Sequence, residues 1–112
     1  MKLDFNALEQ PTLELTLKDD NKTTIHATVP TEELVERLQA AAPGMKAIVD
    51  QGHAETAKTL YGLIADLISC NLEGITFTAE SLRDTYRLGL LEVFVLAKTY
   101  LEFIGEISGA KN

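Results

Sequence analysis

The chain has one cysteine, no tryptophan, three prolines and only 6% aromatic residues. A lone cysteine, Cys70, forms no internal disulfide, so the fold must be held by its core. With that one thiol and two histidines, His26 and His53, the sequence offers no ligand pair at zinc spacing. It also lacks G-x-S-x-G, H-E-x-x-H, a phosphate loop and a dinucleotide fingerprint, the usual entry points to the common enzyme classes. No enzymatic activity, catalytic residue, cofactor or metal is expected. Basic residues are scarce too: 10 Lys and Arg stand against 17 Asp and Glu, for a net charge of -7 without a basic cluster. That field repels phosphate backbones and anionic headgroups, so neither nucleic acid nor a membrane surface is an expected partner. No apolar run approaches the ~20 residues that a membrane span needs. The start lacks the charged, apolar and small-residue succession of a secretory signal, and a reducing cytoplasm is the expected location.

What is present is an ordinary globular composition, 46% hydrophobic and 24% charged over 112 residues. It fits a single domain, 1–112, with a β-hairpin region at 1–30 and a helical region at 31–112. Residues 12–17 alternate, Leu13, Leu15 and Leu17 against Thr12, Glu14 and Thr16, the period of a half-buried strand. Residues 23–29 repeat the pattern with Ile25, Ala27 and Val29 inward, and Lys18 to Lys22 supply a polar turn. Leu3, Phe5 and Leu8 provide anchors ahead of Pro11. Thr31 is placed to cap a helix whose first turn carries Glu32 and Glu33 and whose apolar side is Leu34, Val35, Leu38, Ala41 and Ala42. Pro43-Gly44 ends it, and a short helical piece is expected from Met45 to Asp50, with Gln51-Gly52-His53 as an interruption. From Ala54 to Cys70, residues Ala57, Leu60, Tyr61, Ile64, Leu67 and Ile68 keep helical spacing, and Asn71 is the terminator. Ile75 and Phe77 should tuck under a connector, Thr78 should cap the next helix, and Gly89 should separate or bend it from the last one. The predicted fold class is therefore α+β: a two-stranded antiparallel hairpin followed by a bundle of about four helices.

The polar residues with chemical potential read as ordinary. Both histidines fall on expected solvated surface. Cys70 sits near a helix C-terminus, where the dipole disfavours a thiolate, and is expected to be buried and inert. Tyr61, Tyr86 and Tyr100 match the apolar period and should pack in the core with hydroxyls at its rim. Arg83 and Arg87 read as one solvated helix face beside Glu80 and Asp84.

The stretch LGLLEVFVLAKTYLEFIGEI, residues 88–107, stands apart. At about 100° per residue its apolar side chains cover an arc of roughly 240°, leaving Glu92, Thr99, Glu102 and Glu106 as a narrow wet side that Val95 interrupts. A surface helix buries little more than ~100°. The last helix must either be a central core helix or give apolar surface to another molecule, and periodicity leaves both open.

The order hairpin, PTEELVERLQ, then LISCNLEGITFTAESLRDTYRLGLLEVFVLAKTYLEFIGEI, resembles the tail assembly chaperones of long-tailed bacteriophages and prophages. The resemblance implies a non-enzymatic protein of the host cytoplasm that binds the tape measure protein. It would keep that long, aggregation-prone rod soluble until tail tube subunits polymerise around it, with self-association and contact with the tail tube protein as further expectations. On that reading Leu91, Phe94, Val95, Leu101 and Phe103 are the protein-binding candidates. The rival is a small homo-oligomeric structural or adaptor protein whose C-terminal helix forms the subunit interface.

Overall fold

Alternating leucines build the first element as the period-2 pattern requires. In the computed structural model, which describes residues 11–45 and 54–109, β1 (Leu13–Thr16) and β2 (Thr24–Ala27) form a two-stranded antiparallel sheet. The register sets Leu13 opposite Ala27 and Leu15 opposite Ile25. Ile25 and Ala27 are fully buried and Leu17 nearly so. The turn between the strands is held by Asp19, whose carboxylate accepts from both the amide and the hydroxyl of Thr23, while Lys22 turns through a positive φ of 49°. The Thr23 hydroxyl keeps the Asp19 carboxyl below its ordinary pKa. Val29 departs from the expected inward pattern at 39% exposure, because the strand ends at Ala27 and the chain leaves toward Pro30.

Among the described residues four α-helices follow: α1 (Glu32–Ala41), α2 (Ala54–Ile68), α3 (Ala79–Asp84) and α4 (Leu90–Gly109). Thr31 caps α1 by accepting the Leu34 amide, and a 3-10 turn at Ala42–Gly44 carries the chain to a buried Met45. The expected leader anchors Leu3, Phe5 and Leu8, the remainder of the helical piece to Asp50, residues 51–53 with His53, and the tail 110–112 lie outside the described residues. Along α2, Leu60, Tyr61, Ile64, Leu67 and Ile68 are buried as their spacing predicts, and so are Leu63 and Ala65. The added residues close the arc because α2 packs on α1, α3 and α4 at once. The role of central core helix, open for the last helix on periodicity, thus falls to α2. Each large apolar side chain buried completely there contributes about 2–3 kcal/mol.

Asn71 terminates α2 with its side chain, donating to the carbonyls of Ile68 and Ile75 and accepting the Ile75 amide. The segment it organises becomes a strap along β2. The Thr28 amide donates to Cys70 O, the Leu72 amide to His26 O, and the Glu73 carboxylate accepts the His26 amide while meeting His26 Nδ1 at 2.7 Å. His26 is therefore an ion-pair partner rather than a free surface residue. Cys70, expected to be buried, is half-exposed, its Sγ 3.7 Å from the Asp66 carbonyl, because the strap lies at the sheet's margin. Phe77 tucks under the strap against Tyr86, ring centroids 5.1 Å apart. Thr78 and Ser81 then exchange both bonds of a capping box that opens α3.

Tyr61 reaches a partner, donating to the Leu88 carbonyl at 2.8 Å. Tyr100 does not: it is fully buried, burial raises its pKa, and its hydroxyl meets no hydrogen-bond partner among the described residues. That corrects the expectation of a hydroxyl at the core rim. A buried hydroxyl without a partner costs about 1–3 kcal/mol. Tyr100→Phe is accordingly expected to raise stability by about 1 kcal/mol in urea unfolding, where a neutral core tyrosine position would lose stability on truncation.

The strap's ion pair sets a pH dependence. The Glu73 hydrogen bond raises His26 above its ordinary 6.5, so the contribution is complete below that value and fades as pH climbs through the raised pKa. The same contact lowers Glu73 below its ordinary 4.5, so its share is present above 4.5 and fades as pH falls through the lowered pKa. The clamp is strongest between roughly 4.5 and 6.5. An NMR titration should place the His26 midpoint above 6.5, and Glu73→Gln should return it toward that value.

Candidate protein-binding face

Two ion pairs tie the hairpin turn to the start of α4. Glu92 folds back to accept the Gly89 amide and also takes the Lys18 ammonium at 2.9 Å, and these contacts, the Gly89 bond first, hold its carboxyl below the ordinary range. Arg87, at a positive φ of 55° in the bend between α3 and α4, meets Asp20 at 2.8 Å. Both pairs are exposed, so each is worth little alone. Their consequence is positional, since they hold β1 alongside α4.

The wide apolar arc of α4 divides into three parts. Val93, Ala97 and Tyr100 have no exposure and Phe103 has 8%, which makes the inner stripe. Leu90, Phe94, Leu96, Leu101, Ile104 and Ile107 are partly buried against the core. Leu91 and Val95 remain outside, at 64% and 54% exposure. Of the five expected contact residues, then, Leu91 and Val95 form an open ridge one turn long, and Phe94 and Leu101 are half-covered shoulders. Phe103, three residues beyond Tyr100, falls on the core stripe at 8% exposure, so it is no part of the open ridge.

The side of α4 read from the sequence as wet faces the hairpin instead of open solvent alone. Glu92 and Thr99 are half-buried there. A trough runs between β1 and α4, made of adjoining hollows of about 250, 380 and 280 Å³ that share Thr99, then Pro11, Phe103 and Glu106. Val95 and Leu96 form its apolar wall at one end, and Glu102 and Glu106 rim the other.

Strand parity decides what β1 shows to this trough. The Leu17 amide donates to Thr23 O, so the odd-numbered residues of β1 spend their backbone groups on β2 and Glu14 and Thr16 turn theirs outward. Among the described residues nothing pairs with that edge. Alternation predicts the strand, but which edge stays open follows only from the distant strap at residues 70–73, which closes β2 and leaves β1 alone.

The other polar candidates do not converge. The Arg83 guanidinium lies over the Tyr61 ring at 5.4 Å while Arg87 is held by Asp20, so the pair does not form a common face. Among the described residues no group of three His, Cys, Asp or Glu side chains is placed to hold a metal ion, and no helix is long and apolar enough to cross a membrane. Compared with known proteins, the chain matches no family model, no curated protein and no solved structure.

The division of α4 is measurable. Leu91→Glu and Val95→Glu should each change unfolding free energy by no more than about 0.5 kcal/mol, as exposed positions do. Phe103→Ala should cost about 3–5 kcal/mol as a buried aromatic truncation.

Proposed function

We propose that this chain is a phage tail assembly chaperone, a non-enzymatic protein of the host cytoplasm that binds the tape measure protein and keeps it soluble before the tail tube assembles. The observation that carries the reading is the ridge of Leu91 and Val95, two large apolar side chains left open on a helix whose inner face is fully used. Single exposed apolar side chains are ordinary on a protein surface, but these two stand one turn apart on a helix with half-covered Phe94 and Leu101 beside them, and a long amphipathic client offers matching stripes. Phe94 and Leu101 flank the ridge and would extend it. The net charge of -7 keeps a loaded complex dispersed. The arrangement hairpin, PTEELVERLQ and long apolar last helix carries the resemblance to such chaperones, and the tail tube protein is the natural second contact.

The rival, an adaptor dimerising through α4, asks more of the same ridge. A stable subunit interface needs about 800 Å² on each partner, and two side chains on one turn supply a small part of that.

Co-expression with a phage tape measure protein tests the proposal. The wild-type chain should hold it in the soluble fraction, and Leu91→Glu/Val95→Glu should lose most of that capacity while keeping its own fold by circular dichroism. A tape measure protein that stays insoluble with the wild type, or is rescued equally by the double variant, contradicts the reading. A tight dimer broken by the same pair, with no effect on the client, favours the adaptor.

A further inference from the structure

We infer that the trough between β1 and α4 binds an extended polypeptide segment of the client as an added strand, with apolar side chains at alternate positions and lysine or arginine at its C-terminal end. This rests on the chaperone reading and specifies its mode of contact: part of the client is held as a strand, where the ridge alone suggests only a helix.

Three independent features meet here. The outward amides and carbonyls of Glu14 and Thr16 are unsatisfied within the described residues, and an open strand edge is a template for another chain. The opposite edge of the sheet is closed by the strap, so the opening is one-sided. The dimensions agree as well. Residues 11–18 span about 23 Å at ~3.3 Å per residue, and residues 92–107 of α4 run about 22 Å at ~1.5 Å per residue. A strand laid along β1 would thus follow the trough from end to end.

Charge selects the occupant. Glu102 and Glu106 stand at the β1 N-terminal end of the trough, next to Pro11 and Thr12, and neither has a cationic partner among the described residues, whereas Glu14 lies across the ladder from His26. An antiparallel strand brings its C-terminal residues to that end, so a lysine or arginine there meets two carboxylates, while its inward apolar side chains meet Val95 and Leu96 at the other. A second copy of this chain fits less well. Its β1 would bring another Glu14, and its Lys18 is already held by Glu92.

The test uses a fluorescein-labelled nine-residue peptide, amidated at its C-terminus, with valine and threonine alternating and two C-terminal lysines, read by fluorescence polarisation. Thr16→Pro removes an outward amide and spares the backbone ladder to β2, giving up only the exposed Thr16–Thr24 hydroxyl contact of 3.1 Å, which Thr16→Val removes by itself as the control, so the hairpin should survive and binding should fall about ten-fold relative to Thr16→Val. Alternate N-methylation of the peptide should have the same effect with the protein unaltered. Glu102→Gln/Glu106→Gln should weaken binding about three- to ten-fold and flatten its salt dependence. Binding indifferent to Thr16→Pro and to N-methylation overturns the inference, and if Leu91→Glu/Val95→Glu still abolishes tape measure rescue, the chaperone reading survives without it. Self-association that Thr16→Pro abolishes, with no peptide bound, assigns the edge to a second copy and also overturns it. Peptide binding with no rescue of a tape measure protein supports the trough and contradicts the chaperone.

Discussion

The seating of α4 on the core fixes everything that follows. Val93, Ala97, Tyr100 and Phe103 recur at three- and four-residue steps and are buried, and a helix so anchored has no freedom to rotate. Leu91 must then point outward, and Val95 must look over the hairpin side. The anchoring is strong enough to carry, at Tyr100, a hydroxyl without a partner among the described residues. Surface charge contributes little energy to this arrangement, but it sets the neighbour: Lys18 with Glu92, and Arg87 with Asp20, bring the hairpin turn to the start of the helix.

A two-stranded hairpin is marginal in water and has two edges to satisfy. Here the helical region meets both needs unequally. Helices cover Ile25 and Ala27 from one side, and the strap after α2 pairs with the outer edge of β2 through Thr28 and His26. Nothing comparable among the described residues reaches β1. The open edge therefore lies beside the apolar end of the trough and the Leu91–Val95 ridge, so backbone hydrogen-bonding capacity and exposed apolar surface occur together. Their proximity makes binding a more economical explanation of the face than either feature would alone.

Much of this was legible in the chain itself. Period-2 alternation gives both strands, Thr31 and Thr78 announce their helices, and the three- and four-residue spacing of Leu60, Ile64, Leu67 and Ile68 gives the core side of α2. The illegible parts share one cause, which is that they depend on contacts distant in sequence. Leu63 and Ala65 are buried only because α1, α3 and α4 surround α2. His26 gains Glu73 from 47 residues away. Phe103 and Leu91 are equally apolar on a helical wheel, and the direction of the core separates them. The open edge of β1 follows from the strap at residues 70–73, which closes β2 and leaves β1 alone, and no side-chain pattern records it.

Amide hydrogen exchange of the protein, alone and in complex with a tape measure protein, tests the proposed face most directly. The Glu14 and Thr16 amides, unpaired among the described residues, should become protected in the complex, with protection also rising in α4 around Leu91 and Val95. Protection confined to α1 or to the strap at residues 70–73, with β1 and α4 unchanged, would contradict it.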